Sequence, residues 1–370
     1  MASNKRVVFF SVFPPFRGGI SKFSNALAKV LHQSSDLTSI NFKTQYPSWL
    51  FPGKTQFSTE KPYLPLKRVG STFNFFSFFK LTKTIQKRNP EILICSYWVT
   101  FMAPILSFIA KRQNKTCEKI LLVHNFKPHE SRFFDGYMNR MVLRSFDRFI
   151  VLSEGVKKDM LSIDSKAKIQ VSRHPVYNDF NSKMERPKAI QKLGIHPSKR
   201  TILFFGLIRE YKGLDLLLEA FSYLSEDYQL IIAGEVYGDS LKYQNLITNS
   251  KNKNIFFHNY FIPEHKVHYY FSAANLCVLP YKSGTQSGVK STADFFGVPC
   301  LLSKVGGIAD NIEHGNNGFL LSSMDAYAMS KQIDAIFENC NLSELGRNIE
   351  LNIRQSESSW EKLAEQILDQ

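Results

Sequence analysis

Apolar residues along the chain fall into two series of short, nearly continuous runs separated by segments with helical spacing. The first run, Arg6-Val7-Val8-Phe9-Phe10-Ser11-Val12-Phe13, has the unbroken apolar character of a strand buried on both faces of a parallel sheet. Pro14-Pro15-Phe16-Arg17-Gly18-Gly19 breaks it, and from there Ile20, Phe23, Leu27, Val30 and Leu31 recur at the spacing of one helix face. Strands are predicted again over residues 91–96, 119–124 and 148–153, with helical patterns between them. Such alternation is the mark of a doubly wound parallel sheet.

Between Pro175 and Lys199 the sequence turns polar and carries Pro187, Gly194 and Pro197, so the connection between domains is expected there. The pattern then restarts. Residues 201–205 read as strand, 206–213 as loop and 214–224 as helix, and further strands are expected over 229–233, 254–258, 276–280 and 299–303. From Ser359-Trp360 to the last residue, Leu363, Ile367 and Leu368 share one helix face. A length of 370 residues and an apolar fraction of 44% suit two cores rather than one. The reading is therefore α/β: two doubly wound, Rossmann-like domains over residues 1–180 and 181–354, with a helix over 355–370 crossing back to the first. Facing each other, they would set the carboxyl ends of both sheets across a cleft, where open α/β sheets bind ligands.

Charge changes the picture. Residues 1–180 hold 28 Lys and Arg against 11 Asp and Glu, whereas the remaining 190 residues hold 19 against 21. The whole positive excess lies in the first half, which points to an anionic partner there. The basic residues are dispersed and form no nucleic-acid-binding motif, so nucleic acid is not expected as that partner. Five cysteines without a C-x-x-C pair read as reduced thiols of a cytoplasmic protein. No run reaches the roughly 18 apolar residues of a membrane span, and the basic leader has no signal-peptide core.

Candidate chemistry concentrates in the second half. Gly206-Leu207-Ile208-Arg209-Glu210-Tyr211-Lys212-Gly213 joins a buried strand to a helix start, where free amides and the helix dipole favour anions. Arg209 and Lys212 there form a candidate clamp for a departing diphosphate. A second strand-to-helix loop, Tyr281-Lys282-Ser283-Gly284-Thr285-Gln286-Ser287-Gly288-Val289, runs on into Ala293-Asp294-Phe295-Phe296-Gly297-Val298-Pro299. Val305-Gly306-Gly307-Ile308-Ala309-Asp310 and Gly315-Asn316-Asn317-Gly318-Phe319-Leu320 follow.

Over residues 201–321 this order resembles the nucleotide-sugar glycosyltransferases of GT-B architecture, in particular the retaining family 4 group. That group has a phosphate-binding helix, a G-x-P-V strand, a G-G-x-x-E turn and a G-x-x-G-x-L hairpin in this order. The resemblance implies donor binding by Gly206, Gly234, Glu235, Tyr260, Phe261, Thr285, Gln286, Ser287, Gly288, Val289 and Asp294. It assigns Gly18-Gly19 to the turn whose backbone approaches the donor phosphates, and His124 to the strand end that reaches the transferred sugar. It implies a front-face substitution in which the donor phosphate helps deprotonate the acceptor hydroxyl, with no protein nucleophile, no cofactor and no essential metal. The chain departs from the family in one respect. Two glutamates eight positions apart would fall near Gly284 or Thr285 and near Thr292 or Ala293, and none of these is acidic. A catalytically inactive GT-B binding module and a nucleotide-sugar epimerase of the same fold remain as alternatives.

Residues 67–88 contain five phenylalanines and six basic residues and no acidic one. Phe78, Leu81 and Ile85 make a core stripe at helical spacing, while Phe75 and Phe79 fall on a neighbouring face with Lys83. Aromatic and basic groups together suit a helix lying on an anionic bilayer. The expected partners are thus a nucleotide-sugar donor, a sugar or lipid-linked acceptor and the inner face of the cytoplasmic membrane, with the protein peripheral to it.

Overall fold

The computed structural model describes residues 5–46, 51, 53, 55–127, 133–172, 174–177, 180–284, 287–310, 312–355 and 359–369. The chain forms two compact units, Met1–Pro175 with Glu357–Gln370, and Val176–Ser356.

In the first unit the elements are β1 (Arg6–Ser11), α1 (Gly19–Ser34), β2 (Asp36–Asn41), β3 (Lys67–Arg68), α2 (Phe75–Gln86), β4 (Ile92–Tyr97), α3 (Ala103–Ala110), β5 (Glu118–Val123), α4 (Asp135–Leu143), β6 (Arg148–Val151), α5 (Glu154–Leu161) and β7 (Ile169–Val171). The seven strands pair in the order β3-β2-β1-β4-β5-β6-β7, all parallel. Val7 through Phe10 are buried, as a strand covered by helices on both faces requires. Phe23, Leu27 and Leu31 form the buried stripe of α1.

The second unit holds α6 (Arg186–Leu193), β8 (Arg200–Phe205), α7 (Leu214–Phe221), β9 (Tyr228–Ala233), α8 (Ser240–Asn249), β10 (Ile255–His258), α9 (Glu264–Ala273), β11 (Leu276–Leu279), α10 (Gly288–Phe295), β12 (Cys300–Leu302), β13 (Phe319–Leu320), α11 (Ala326–Asn339) and α12 (Leu342–Gln355). Its strands run β10-β9-β8-β11-β12-β13, again all parallel. In each sheet the chain reverses its direction of travel beside the first strand, between β1 and β4 and between β8 and β11. These are the switch points at which such sheets open a crevice.

The last helix, α13 (Trp360–Leu368), belongs to the first unit, where Trp360, Leu363 and Ile367 are buried. Trp360 meets the edge of Phe23 on α1 at 4.9 Å. Arg148, paired to Glu118 at 2.8 Å, donates to the carbonyls of Gln366 and Ile367 and so satisfies that helix end.

Two expectations change. The polar stretch after Pro175 is not only a connection, because α6 lies inside it. Its proline stands in the first turn and Gly194 closes it with φ 64°, and proline at the start with glycine at the end is helix punctuation. Ala189 and Ile190 bury its inner face. The unit boundary falls at Pro175–Val176 rather than at residue 180. β2 was also not expected, since Thr38, Ser39 and Asn41 give it a polar pattern. Those side chains are buried, and Asn41 accepts from the Phe13 amide and donates to the Phe13 carbonyl.

Candidate functional site

The second unit gathers its candidate residues at the carboxyl ends of β8, β9 and β10. Beyond β8 and β9 the two chains continue side by side: the Ile208 amide donates to the Glu235 carbonyl at 2.9 Å, and the Tyr237 amide to Ile208 at 2.8 Å. Asn259 accepts from the Val236 amide at 2.9 Å and ties in the turn after β10. Gly206 (φ 94°) and Gly234 (φ 156°) make the close approach possible, since a Cβ on Gly234 would lie 2.0 Å from the Gly206 carbonyl oxygen.

A Cβ on Gly206 would stand 3.1 Å from Val289 Cγ2 and 3.3 Å from Lys212 Nζ. The glycine turn, the lysine and the start of α10 therefore converge on one spot. Lys212 sits in a short 3₁₀ turn, Glu210–Lys212, closed by Gly213 at φ 69°. Its residue is buried, and its ammonium lies 5.5 Å from the centre of the Tyr281 ring. Among the described residues no carboxylate or carbonyl receives it. Burial, with Arg209 adding to it, pulls its pKa down to about 8. Arg209 lies over Tyr237 at 5.4 Å. Tyr237 and Tyr281 are thus aromatic seats for the two cations, and sequence reading did not select either.

At the start of α10 the Ser287 hydroxyl accepts from the Lys290 amide, and no acidic residue occupies the first turn. The amides of Gly288 and Val289, the first two of the helix, follow that cap. An ammonium without a counter-ion beside a helix N-terminus is a place for an anion with several oxygens. Thr285 and Gln286 lie outside the described residues.

The remaining candidates separate. Asp294 does not face this spot as an available acid: Lys290, one turn earlier, pairs with it. Burial raises its pKa in spite of the lysine, while Asp294 holds Lys290 above the ordinary lysine value against the pull of burial. Three of the four positions where glutamates were expected are described. A Cβ on Gly284 would come within 2.7 Å of Ile308, Thr292 donates to the Gly288 carbonyl, and Ala293 is buried in the core. Glu235 is buried, Phe261 is half-buried, and Tyr260 is exposed with its hydroxyl 3.0 Å from that of Tyr270.

In the first unit, Gly18 caps α1 at φ 116° without a side-chain partner, and Gly19 is exposed with open space beside it. His124 directly follows β5, with its amide bonded to the Tyr97 carbonyl. Its ring meets the edge of Phe23 at 4.8 Å. Burial, then the neighbouring His174, drives its pKa down to about 3, so it is a neutral imidazole near pH 7. No helix of the described residues is long and apolar enough to cross a membrane.

Residues 185–355 match the family described as "Glycosyl transferases group 1". The chain is 26% identical over 186 residues to a D-inositol 3-phosphate glycosyltransferase of Pseudarthrobacter chlorophenolicus, covering 48% of this chain and 44% of that protein, so it spans under half of that relative's length. It is 24% identical to an uncharacterized glycosyltransferase of Haemophilus influenzae over 91% of this chain and 92% of the other. Among solved structures it resembles HepE of Anabaena in complex with UDP-glucose, with 16% identity, a TM-score of 0.79 and 98% of each chain covered. The fold is therefore GT-B, two parallel-sheet Rossmann-like domains.

Proposed function

We propose that this chain, a glycosyltransferase by the match of residues 185–355 and by its GT-B fold, moves a sugar from a nucleoside-diphosphate sugar to a hydroxyl of a lipid-linked acceptor. One observation carries the reading: Lys212 is a buried ammonium with no counter-ion among the described residues, set beside the open start of α10. A buried charge persists only where something compensates it, and a diphosphate does so. Arg209 adds a second cation at the mouth of the same turn.

In the transfer, the bond from the sugar's anomeric carbon to the diphosphate oxygen breaks and the acceptor oxygen takes its place. The acceptor proton leaves with the phosphate. Lys212, Arg209 and the amides of Gly288 and Val289 stabilise the charge that grows on the leaving group. His124, neutral and buried, offers a hydrogen bond to a sugar hydroxyl and not a proton to the leaving group. No protein nucleophile is invoked, in keeping with transfer by retention, and no cofactor or essential metal is assigned. The HepE likeness makes uridine donors the first to try. The basic, aromatic first unit supports a peripheral place on the inner face of the cytoplasmic membrane and a role in cell-surface polysaccharide or glycolipid assembly.

The test is incubation with a panel of nucleotide sugars, following nucleotide release with and without acceptor. One observation favours a second reading, an inactive binding module: Gly284 and Thr292 carry no carboxylate, and a side chain on Gly284 would meet Ile308 at 2.7 Å. Tight donor binding without release from any donor would establish that second reading.

A further inference from the structure

The first unit carries an aromatic ridge that the transfer chemistry does not use. Phe73, Phe75, Phe76 and Phe79 are exposed to 56, 58, 84 and 44%. Every exposed phenylalanine among the described residues belongs to the first unit; the second exposes none. The ridge is not a frayed surface. Asn74 caps α2 by accepting from the Ser77 amide. Phe75, Phe78 and Phe79 each set an edge against Phe108 on α3, at 5.6, 5.7 and 4.9 Å. Arg112 lies over Phe108 at 3.5 Å. Phe78, Leu81 and Ile85 hold the opposite face of α2 in the core. The exposed rings are thus presented rigidly, with Phe76 outermost.

Their surroundings have one sign. Residues 61–90 contain seven Lys and Arg and no Asp or Glu. Lys80 and Lys83 are exposed on the same helix, and so is Lys87, which closes it. A patch this apolar, ringed by cations alone, is complementary to an anionic lipid surface, into which rings enter while ammonium groups stay with the headgroups.

The topology adds the orientation. β3 and β4 are parallel strands of one sheet and α2 connects them, so the start of α2 lies at the carboxyl edge of that sheet. Gly18-Gly19 and His124 follow β1 and β5 at that same edge. A seam of rings joins the two places: Phe73 stacks on Phe101 at 5.5 Å, Phe101 meets Tyr46 at 5.5 Å, and Trp98, next after β4, donates to the Tyr46 hydroxyl.

We infer that the start of α2, led by Phe75, Phe76 and Phe79, is the membrane-docking face, and that it seats the carboxyl edge of the first sheet against an anionic bilayer. The inference rests on the lipid-linked acceptor proposed above and names where that acceptor is met. A lipid-borne acceptor then reaches the His124 edge along the seam, without leaving the bilayer surface.

The experiment is co-sedimentation of the full chain with vesicles of phosphatidylcholine, alone or with phosphatidylglycerol, at low and high salt. The chain should bind the anionic vesicles at low salt and lose binding as salt screens the charge. Joint Phe75→Ser and Phe76→Ser substitution, at positions exposed to more than half, should lower partitioning at least tenfold while the chain keeps a cooperative thermal melt, and Phe76→Ser alone, at the outermost ring, should lower it in the same direction. Lys80→Glu with Lys83→Glu should remove the salt-dependent part. Phe76→Trp should be quenched by brominated lipid chains, whereas the parent chain is not. No binding at low salt, binding unaffected by the phenylalanine pair, or self-association abolished by the same pair would each overturn the docking face. Nucleotide release in solution is independent of all three. Vesicle binding as described, without transfer to any lipid acceptor, would instead remove the acceptor proposed above and leave the docking face standing.

Discussion

Gly234 and Gly206 meet backbone to backbone: a Cβ on the first would lie 2.0 Å from the carbonyl oxygen of the second. Nothing flexible can yield at that contact. Gly234→Ala should therefore part the two strand ends, cost about 1–3 kcal/mol in stability and weaken nucleotide binding. Gly238→Ala, at φ 125° but with open space around it, is the control for backbone strain alone. Calorimetric titration with nucleoside diphosphate and a thermal melt read both effects. An unchanged affinity in Gly234→Ala would disprove the shared turn as part of the donor site.

Arg209→Ala and Lys212→Ala should each reduce turnover by ~10²–10³-fold, the usual loss when one charged partner of a developing oxyanion is removed. The two should differ in stability. Lys212→Ala removes an uncompensated buried ammonium and should leave the apo protein at least as stable, whereas exposed Arg209 should barely matter to the melt. Steady-state kinetics beside thermal unfolding would decide; wild-type turnover in both variants ends the clamp.

Lys212 titrates near 8 in the folded chain and near the ordinary 10.5 when unfolded. Between those values the unfolded state holds more protons, so this group's contribution to stability improves as pH rises from about 8 to 10.5. Ligand binding runs the other way, because the diphosphate needs the charged form. Affinity should fall as pH climbs through 8, and binding at pH 8.5 should take up a proton. Titrations in buffers of different ionisation enthalpy measure that uptake, and Lys212→Met should abolish it. A flat affinity from pH 7 to 9.5 would contradict the assignment.

Lys290 and Asp294 compensate each other inside the second unit. Lys290→Met should leave a largely buried carboxylate alone and cost about 1–3 kcal/mol, and adding Asp294→Asn should restore part of it. Denaturant unfolding of the single and double variants checks this. If Lys290→Met leaves stability unchanged, the pair is not structural, and Asp294 regains its claim to the donor.

Much of this was legible in residue order. Continuous apolar runs announced the central strands, because parallel strands are buried on both faces and cannot alternate. Gly206, Lys212 and Val289 were singled out from strand-to-helix loops, and they do converge. What stayed hidden depended on partners distant in sequence. In β2, Asn41 is satisfied by the Phe13 backbone after β1 and Thr38 accepts from Arg88, so its pattern imitates a surface segment. α6 was masked by the same Pro and Gly that mark linkers. Asp294 was selected as a carboxylate near a motif, and only its neighbour one turn back on the helix removes it.

α13 completes the first unit after the second has been threaded through it in sequence. On a ribosome, the side of Phe23 on α1 that Trp360 covers therefore waits through the synthesis of the whole second unit, Val176–Ser356, at an elongation rate of about 5–20 residues per second. Arg148 likewise waits for the carbonyls of Gln366 and Ile367. α13 thus acts as a latch on a unit whose sheet is made before the second unit, and a chain stopped at Ser356 would hold a finished second unit and an open first one.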